Sequence, residues 1–132
     1  MVQQVAAKVP DKADYRREAG GSIMLLLSLF DAANFSVALR WFIQYSMTSK
    51  TSSRIISLEV LGRLVEALQA TGSSDEHKNI LTEYSRLIFT SIYNRTNDTA
   101  PSVKTQALKV LGEMTASQSA AVKTLLIQVN SI

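Results

Sequence analysis

The hexapeptide SLEVLG at positions 57–62 returns fifty positions later as ALKVLG at 107–112. The same offset aligns more than six letters. Arg54 falls on Lys104, Ser57 on Ala107, Leu58 on Leu108, Val60 on Val110, Leu61 on Leu111, Gly62 on Gly112 and Leu64 on Met114. Upstream, Leu39 falls on Phe89 and Phe42 on Ile92. Because the match includes the helix before the repeated phrase, the repeating unit is a pair of antiparallel helices. Such a pair cannot bury its own apolar faces and stacks on a copy of itself to do so, which is how an α-solenoid is built. The alternative is an ordinary helical bundle with a coincidental match, and it leaves the aligned helix pairs unexplained.

The rest of the chain is patterned for the same class. Two prolines, five glycines and apolar residues recurring at spacings of three and four argue for an all-α fold with no convincing strand. Residues 1–12 read as an extended or frayed lead-in, since Pro10 interrupts a helix. A first helix is expected over about 14–30, kinked or broken at Gly20 and Gly21. Asn34 is the expected N-cap of a second helix over 36–47, with Val37, Trp41 and Tyr45 in one stripe, widened by Leu39, Phe42 and Ile43. A third, over 53–70, carries Leu58, Leu61, Val65 and Leu68 beside Ile56, Val60 and Leu64, a face wide enough for two neighbours. Gly72 stops it.

A fourth helix over 76–93 turns Ile80, Tyr84, Leu87, Ile88 and Ile92 inward. The turn chemistry of residues 94–102 then places Pro101 in a first helical turn, where it costs no hydrogen bond. A fifth helix over 101–115 presents Val103, Ala107, Val110, Leu111 and Met114, and a sixth over 119–129 presents Val122, Leu125, Leu126 and Val129. The expected architecture is thus about six helices in antiparallel pairs over residues 13–132. Its repeat units fall at about 34–71 and 76–116, with partial units at both ends.

The local pattern is that of HEAT repeats. In DTAPSVKTQALKVLGEM, positions 98–114, an acid lies in the turn, a proline opens the second helix, and Val-basic, Ala-Leu and Leu-Gly follow at HEAT spacing. The period exceeds the usual ~40–47 residues, an excess that the loop at 72–78 absorbs. Small residues at 57, 62, 107 and 112 let helix backbones approach closely. That accounts for a glycine inside a helix in both copies despite a cost of about 1 kcal/mol against alanine.

Composition narrows the chemistry. At 132 residues and 46% hydrophobic content the chain has enough apolar material for one core. The absence of cysteine excludes disulfides, cysteine metal clusters and a thiol nucleophile, and favours a reducing compartment. The run IMLLLSLF at 23–30 is too short to span a bilayer, and Asp11, Asp14 and Glu18 before it are unlike a signal peptide. A buried helix of a soluble intracellular protein, with no membrane partner, is expected.

The single histidine, His77, lies beside Asp75 and Glu76 and reads as a solvated helix cap rather than a general base or metal ligand. The Gly20–Gly21 pair lacks the Lys-Ser/Thr of a phosphate loop. No catalytic residue, cofactor, metal or small-molecule substrate is expected. A helical-repeat enzyme such as a DNA glycosylase would need a carboxylate beside exposed aromatics in a basic groove, and no such set stands out. Trp41, Phe42 and Tyr45 read as core rather than as a peptide-binding patch.

The basic residues are the one functional handle. Net charge is +3, without a dense basic run. Lys50 and Arg54 flank one intra-repeat turn, Arg95 and Lys104 flank its equivalent, and stacking places all four along one ridge. A ridge of this kind tracks phosphates with salt-dependent affinity and no sequence preference. The competing reading makes Arg54 and Lys104 structural, reaching to an acid of the neighbouring repeat, with Asp98 available.

Three stretches in order, KADYRREAGGSIMLLLSLF, then ALRWFIQYSMTSKTSSRIISLEVLGRLVEAL, then EHKNILTEYSRLIFTSIYNRTNDTAPSVKTQALKVLGEM, resemble the HEAT-repeat D-type regulatory subunits of condensin II. The resemblance covers roughly residues 12–116. In that family a Tyr-Arg helix, a helix of the form Trp-aliphatic-x-x-Tyr-Ser followed by Ser-Lys and an Arg-containing helix, and an Asp-x-Ala-Pro-x-Val-basic-x-x-Ala-Leu segment occur in the same order; here Phe42 follows Trp41 in place of the aliphatic. The order is more specific than any one segment. The resemblance implies a non-enzymatic scaffold in mitotic chromosome condensation, located in the nucleus on chromosomes. Its implied partners are a kleisin chain, SMC subunits and DNA bound without regard to sequence. Members of that family are far longer, so these residues are expected to be one slice of a solenoid. A HEAT-like adaptor for peptides in transport or trafficking is the rival expectation.

Overall fold

The computed structural model describes residues 13–67 and 75–116. Five helices occupy them: α1 Ala13–Ser28, α2 Ala32–Tyr45, α3 Thr51–Ala67, α4 Asp75–Arg95 and α5 Pro101–Ala116. The expected lead-in, the end of the third helix with the loop after it, and the sixth helix lie outside the described residues. Helices α1, α3 and α5 pack side by side in one layer and α2 and α4 form a second layer against them. The fold is an all-α, HEAT-type solenoid.

Helix α3 is the keystone, packed against all four others. Its sequence explains this. Ile55, Ile56, Leu58, Val60, Leu61, Leu64 and Val65 are all buried, so the helix is apolar nearly all round, as a helix enclosed on several sides must be. The fifty-residue offset then exposes the asymmetry of the stack. Leu58 is 0% exposed whereas its equivalent Leu108 on α5 is 54% exposed. The first has α5 for a neighbour. A Cβ built on Gly62 would lie 2.8 Å from Val110 Cγ1, and one on Gly112 would meet nothing within 4 Å among the described residues. Gly62 therefore lies where α3 and α5 come too close to admit a side chain.

Several local expectations are corrected. Helix α1 runs unbroken through Gly20 and Gly21. A Cβ on Gly20 would sit 3.0 Å from both Arg63 Nε and Glu59 Cγ, so that glycine serves the approach of α1 to α3 rather than a kink. Helix α2 is capped by Asp31, not Asn34: the Asp31 carboxylate accepts the Asn34 backbone N–H at 2.8 Å, which places Asn34 inside the first turn. Val37 and Leu87, expected inward, are half exposed. Trp41 and Tyr45 do pack on the core, with ring centroids 4.2 Å apart, and the Tyr45 hydroxyl accepts from Ser53 Oγ at 2.8 Å.

His77 is not a solvated cap. Its ring stacks on Phe35, centroids 4.1 Å apart and planes 12° from parallel, and Nε2 lies 2.7 Å from the Phe30 carbonyl oxygen. Since that partner only accepts, Nε2 carries the proton. His77 thereby ties the start of α4 to the α1–α2 corner. Replacing it with alanine removes one stack and one hydrogen bond, and is expected to lower unfolding free energy by about 1–2 kcal/mol in urea titrations.

Candidate functional site

The two intra-repeat turns form one edge of the stack. Three of their backbone bonds repeat at the fifty-residue offset. Met47 N donates to Gln44 O and Asn97 N to Asn94 O; Thr48 N donates to Tyr45 O and Asp98 N to Arg95 O; Arg54 N donates to Lys50 O and Lys104 N to Ala100 O. Even the hydroxyls correspond: Ser46 Oγ donates to Ile43 O and Thr96 Oγ1 to Tyr93 O, each at 2.6 Å. The fifty-residue period is thus written in hydrogen bonds as well as in letters.

Asp98 is the electrostatic centre of this edge. Its side chain is 3% exposed and lies between two guanidinium groups. Arg54 Nη2 donates to Oδ1 at 3.0 Å, Arg95 Nη1 donates to Oδ2 at 3.1 Å, and the Ala100 backbone N–H donates to Oδ1 at 2.9 Å. Arg54 Nε lies 3.0 Å from Oδ2 but off the line of a hydrogen bond, so there it contributes charge rather than a directed bond. Burial pushes the Asp98 carboxyl upward. The Ala100 N–H, the Arg54 hydrogen bond and the charges of Arg54 and Arg95 together outweigh it and hold the group below its ordinary range.

Arg54 also closes its own turn, donating from Nη1 to the carbonyl oxygens of Thr48 at 2.9 Å and Ser49 at 2.8 Å. One side chain therefore binds the turn of its own repeat and the acid of the next. At position 48, the equivalent of 98, this chain has Thr instead of Asp.

The four candidate basic residues divide. Arg54, with a side chain 10% exposed, is committed to Asp98. Arg95 shares that carboxylate but stays 25% exposed. Lys50 and Lys104 are exposed and enter no side-chain ion pair among the described residues. The second partner of Asp98 is Arg95, three residues away across the end of α4, and not Lys104. Between the stacked turns lies an open groove of about 320 Å³, walled by Met47, Thr48, Ser49, Arg54, Arg95, Asn97, Asp98 and Thr99.

Other chemistry is sparse. Among the described residues no group of three or more His, Cys, Asp or Glu side chains is placed to hold a metal ion, and no helix is long and apolar enough to cross a membrane.

Comparison with known proteins gives two relatives. The chain is 30% identical to condensin-2 complex subunit D3-L of Xenopus laevis over 115 residues, 86% of this chain and 8% of that protein. It is 32% identical to condensin-2 complex subunit D3 of Mus musculus over 111 residues, 82% of this chain and 7% of that protein. The chain spans less than a tenth of the length of these relatives. No protein-family model and no solved structure matches it.

Proposed function

The chain carries a condensin-2 subunit D3-like HEAT region, and from that premise we propose that it serves a condensin-2-type complex as a non-enzymatic scaffold segment. It acts in the nucleus, on chromosomes, during mitotic condensation. The observation that carries this reading is the similarity itself, which runs over more than four fifths of the chain in both relatives. The stacked helix pairs support it, because a rigid two-layer solenoid displays surface and holds partners without reacting with them. Its partners are a kleisin chain, the SMC subunits and DNA.

DNA contact is assigned to the exposed Lys50 and Lys104 together with the part-exposed Arg95. The exposure of both lysines supports this, as does the concentration of basic charge around a single, fully paired acid. Replacing both lysines by glutamine is expected to lower affinity for a short duplex equally for all sequences, and to reduce the slope of log affinity against log salt by about two. A fluorescence-anisotropy titration at several salt concentrations checks it; an unchanged slope assigns DNA contact elsewhere.

The complex itself is tested by purifying the tagged chain from dividing cells and identifying what comes with it. SMC subunits and a kleisin are the expected companions. Transport or trafficking proteins in their place would overturn the condensin reading and leave only the solenoid.

A further inference from the structure

The groove between the two stacked turns holds more positive charge than its own acid cancels. Asp98 is one carboxylate facing two guanidinium groups, and its side chain is nearly inaccessible. Arg54 is consumed: both bonds of Nη1 go to carbonyl oxygens, and Nη2 and Nε face Asp98. Arg95 is not. It gives Asp98 one directed bond, from Nη1, its side chain stays 25% exposed and it lines the groove; its Nε, like that of Arg54, is buried without an acceptor among the described residues. A planar guanidinium carries five donors, of which Asp98 takes one here, and it is the side chain best matched to a phosphate.

The rest of the wall suits the same ligand. Ser49, Asn97 and Thr99 supply polar groups, and the acid that would repel an anion is neutralised from both sides. Both walls are turns at equivalent positions of successive repeats, so the groove is a product of the stacking.

We propose that this groove is an oxyanion seat, in which Arg95 with Ser49, Asn97 and Thr99 receives one phosphate of a nucleic-acid backbone. The inference rests on the DNA-contact reading above and deepens it. Arg54 and Asp98 position the seat, and the exposed Lys50 and Lys104, at the starts of α3 and α5, add charge for the strand beyond it. The seat reads no bases, since every group in it addresses phosphate.

The test uses the full chain, with amide resonances followed by NMR during titration first with inorganic phosphate and then with a short duplex. Both ligands are expected to shift Ser49, Asn97 and Thr99 beyond all other turn residues. Two variants accompany it. Arg95→Gln is expected to weaken duplex binding roughly fivefold. Asn97→Asp, which places a negative charge on the wall and leaves the Asp98 pairs alone, is expected to weaken it similarly at unchanged melting temperature. A duplex that binds while the groove amides stay silent overturns the seat and leaves DNA contact standing. Phosphate shifts in the groove with no binding of the duplex overturn both the nucleic-acid assignment and the reading beneath it. Full duplex affinity in Asn97→Asp also overturns the seat.

Discussion

Asp98→Ala is expected to destabilise the chain by about 3–5 kcal/mol, a large share of what a domain of this size possesses. The magnitude comes from what is left behind. Arg54 remains nine-tenths buried with no carboxylate, Arg95 remains partly buried beside it, and the Ala100 N–H loses its acceptor. Removing one member of a buried ion cluster costs the desolvation of the others, and this outweighs the worth of any single bond. Urea unfolding of Asp98→Ala against the parent reads the effect directly. Asp98→Asn, which retains an acceptor oxygen but no charge, should fall between the two.

The same carboxylate makes a prediction in pH. Its folded-state pKa is depressed below the ordinary value of 3.8, so the stability it contributes is complete above that value. It is lost as pH falls from there through the folded-state pKa. The gap between parent and Asp98→Asn should therefore be constant near neutrality and close below about pH 4. A gap that widened on acidification would contradict the assignment of a paired, ionised Asp98.

Gly62→Leu carries the second large effect, a loss of about 3 kcal/mol. A Cβ at position 62 would already stand 2.8 Å from Val110 Cγ1, and Val110 is a stiff β-branched side chain buried in the seam. The two helices must separate or shift to admit more atoms, and forcing extra volume into a packed interface costs roughly 1–3 kcal/mol or more. The equivalent glycine behaves oppositely. Among the described residues nothing lies within 4 Å of a Cβ on Gly112, so Gly112→Ala should gain about 1 kcal/mol from helix propensity. Thermal unfolding of the pair checks both signs at once; equal effects would mean that the two copies occupy equal environments.

Much of this was legible in the letters, for reasons the structure makes plain. The repeat was visible because packing demands the same residues at the same places: Val60 and Val110, Ala107 and Ser57, and the turn bonds repeated fifty residues on. The pairing of Arg54 with Asp98 was readable as one of two alternatives, since a basic residue at the start of a second helix and an acid in the next turn fall together once the units stack. What stayed hidden depends on which neighbour is present. No sequence rule separates Leu58 from Leu108, because the two differ in environment and not in pattern. Leu87 sits in the helical stripe of Ile80, Tyr84 and Ile88 yet lies half exposed, since α4 is covered over a narrower arc than its apolar residues suggest.

Other features were missed because their partners are remote or their role is split. His77 reaches Phe30 and Phe35 across more than forty residues, a contact that only the fold brings about. Gly20 looked like a helix breaker because propensity is local, while its reason lies on α3, in Arg63 and Glu59. Arg95 was readable as a basic residue near the turn but not as the second partner of Asp98. That role requires the chain to turn back at the end of α4 and leaves the guanidinium only partly engaged.

Two copies of a helix pair are stacked so that Arg54 of the first grips Asp98 of the second. A double-mutant cycle measures it most directly, using unfolding free energies of the parent, Arg54→Met, Asp98→Ala and the double variant. Stacked repeats predict strong coupling, with the double variant recovering about 1–3 kcal/mol of the summed single losses, because neither charge is then left buried alone. Additive losses would place Arg54 and Asp98 out of contact, and the stack of repeats with them.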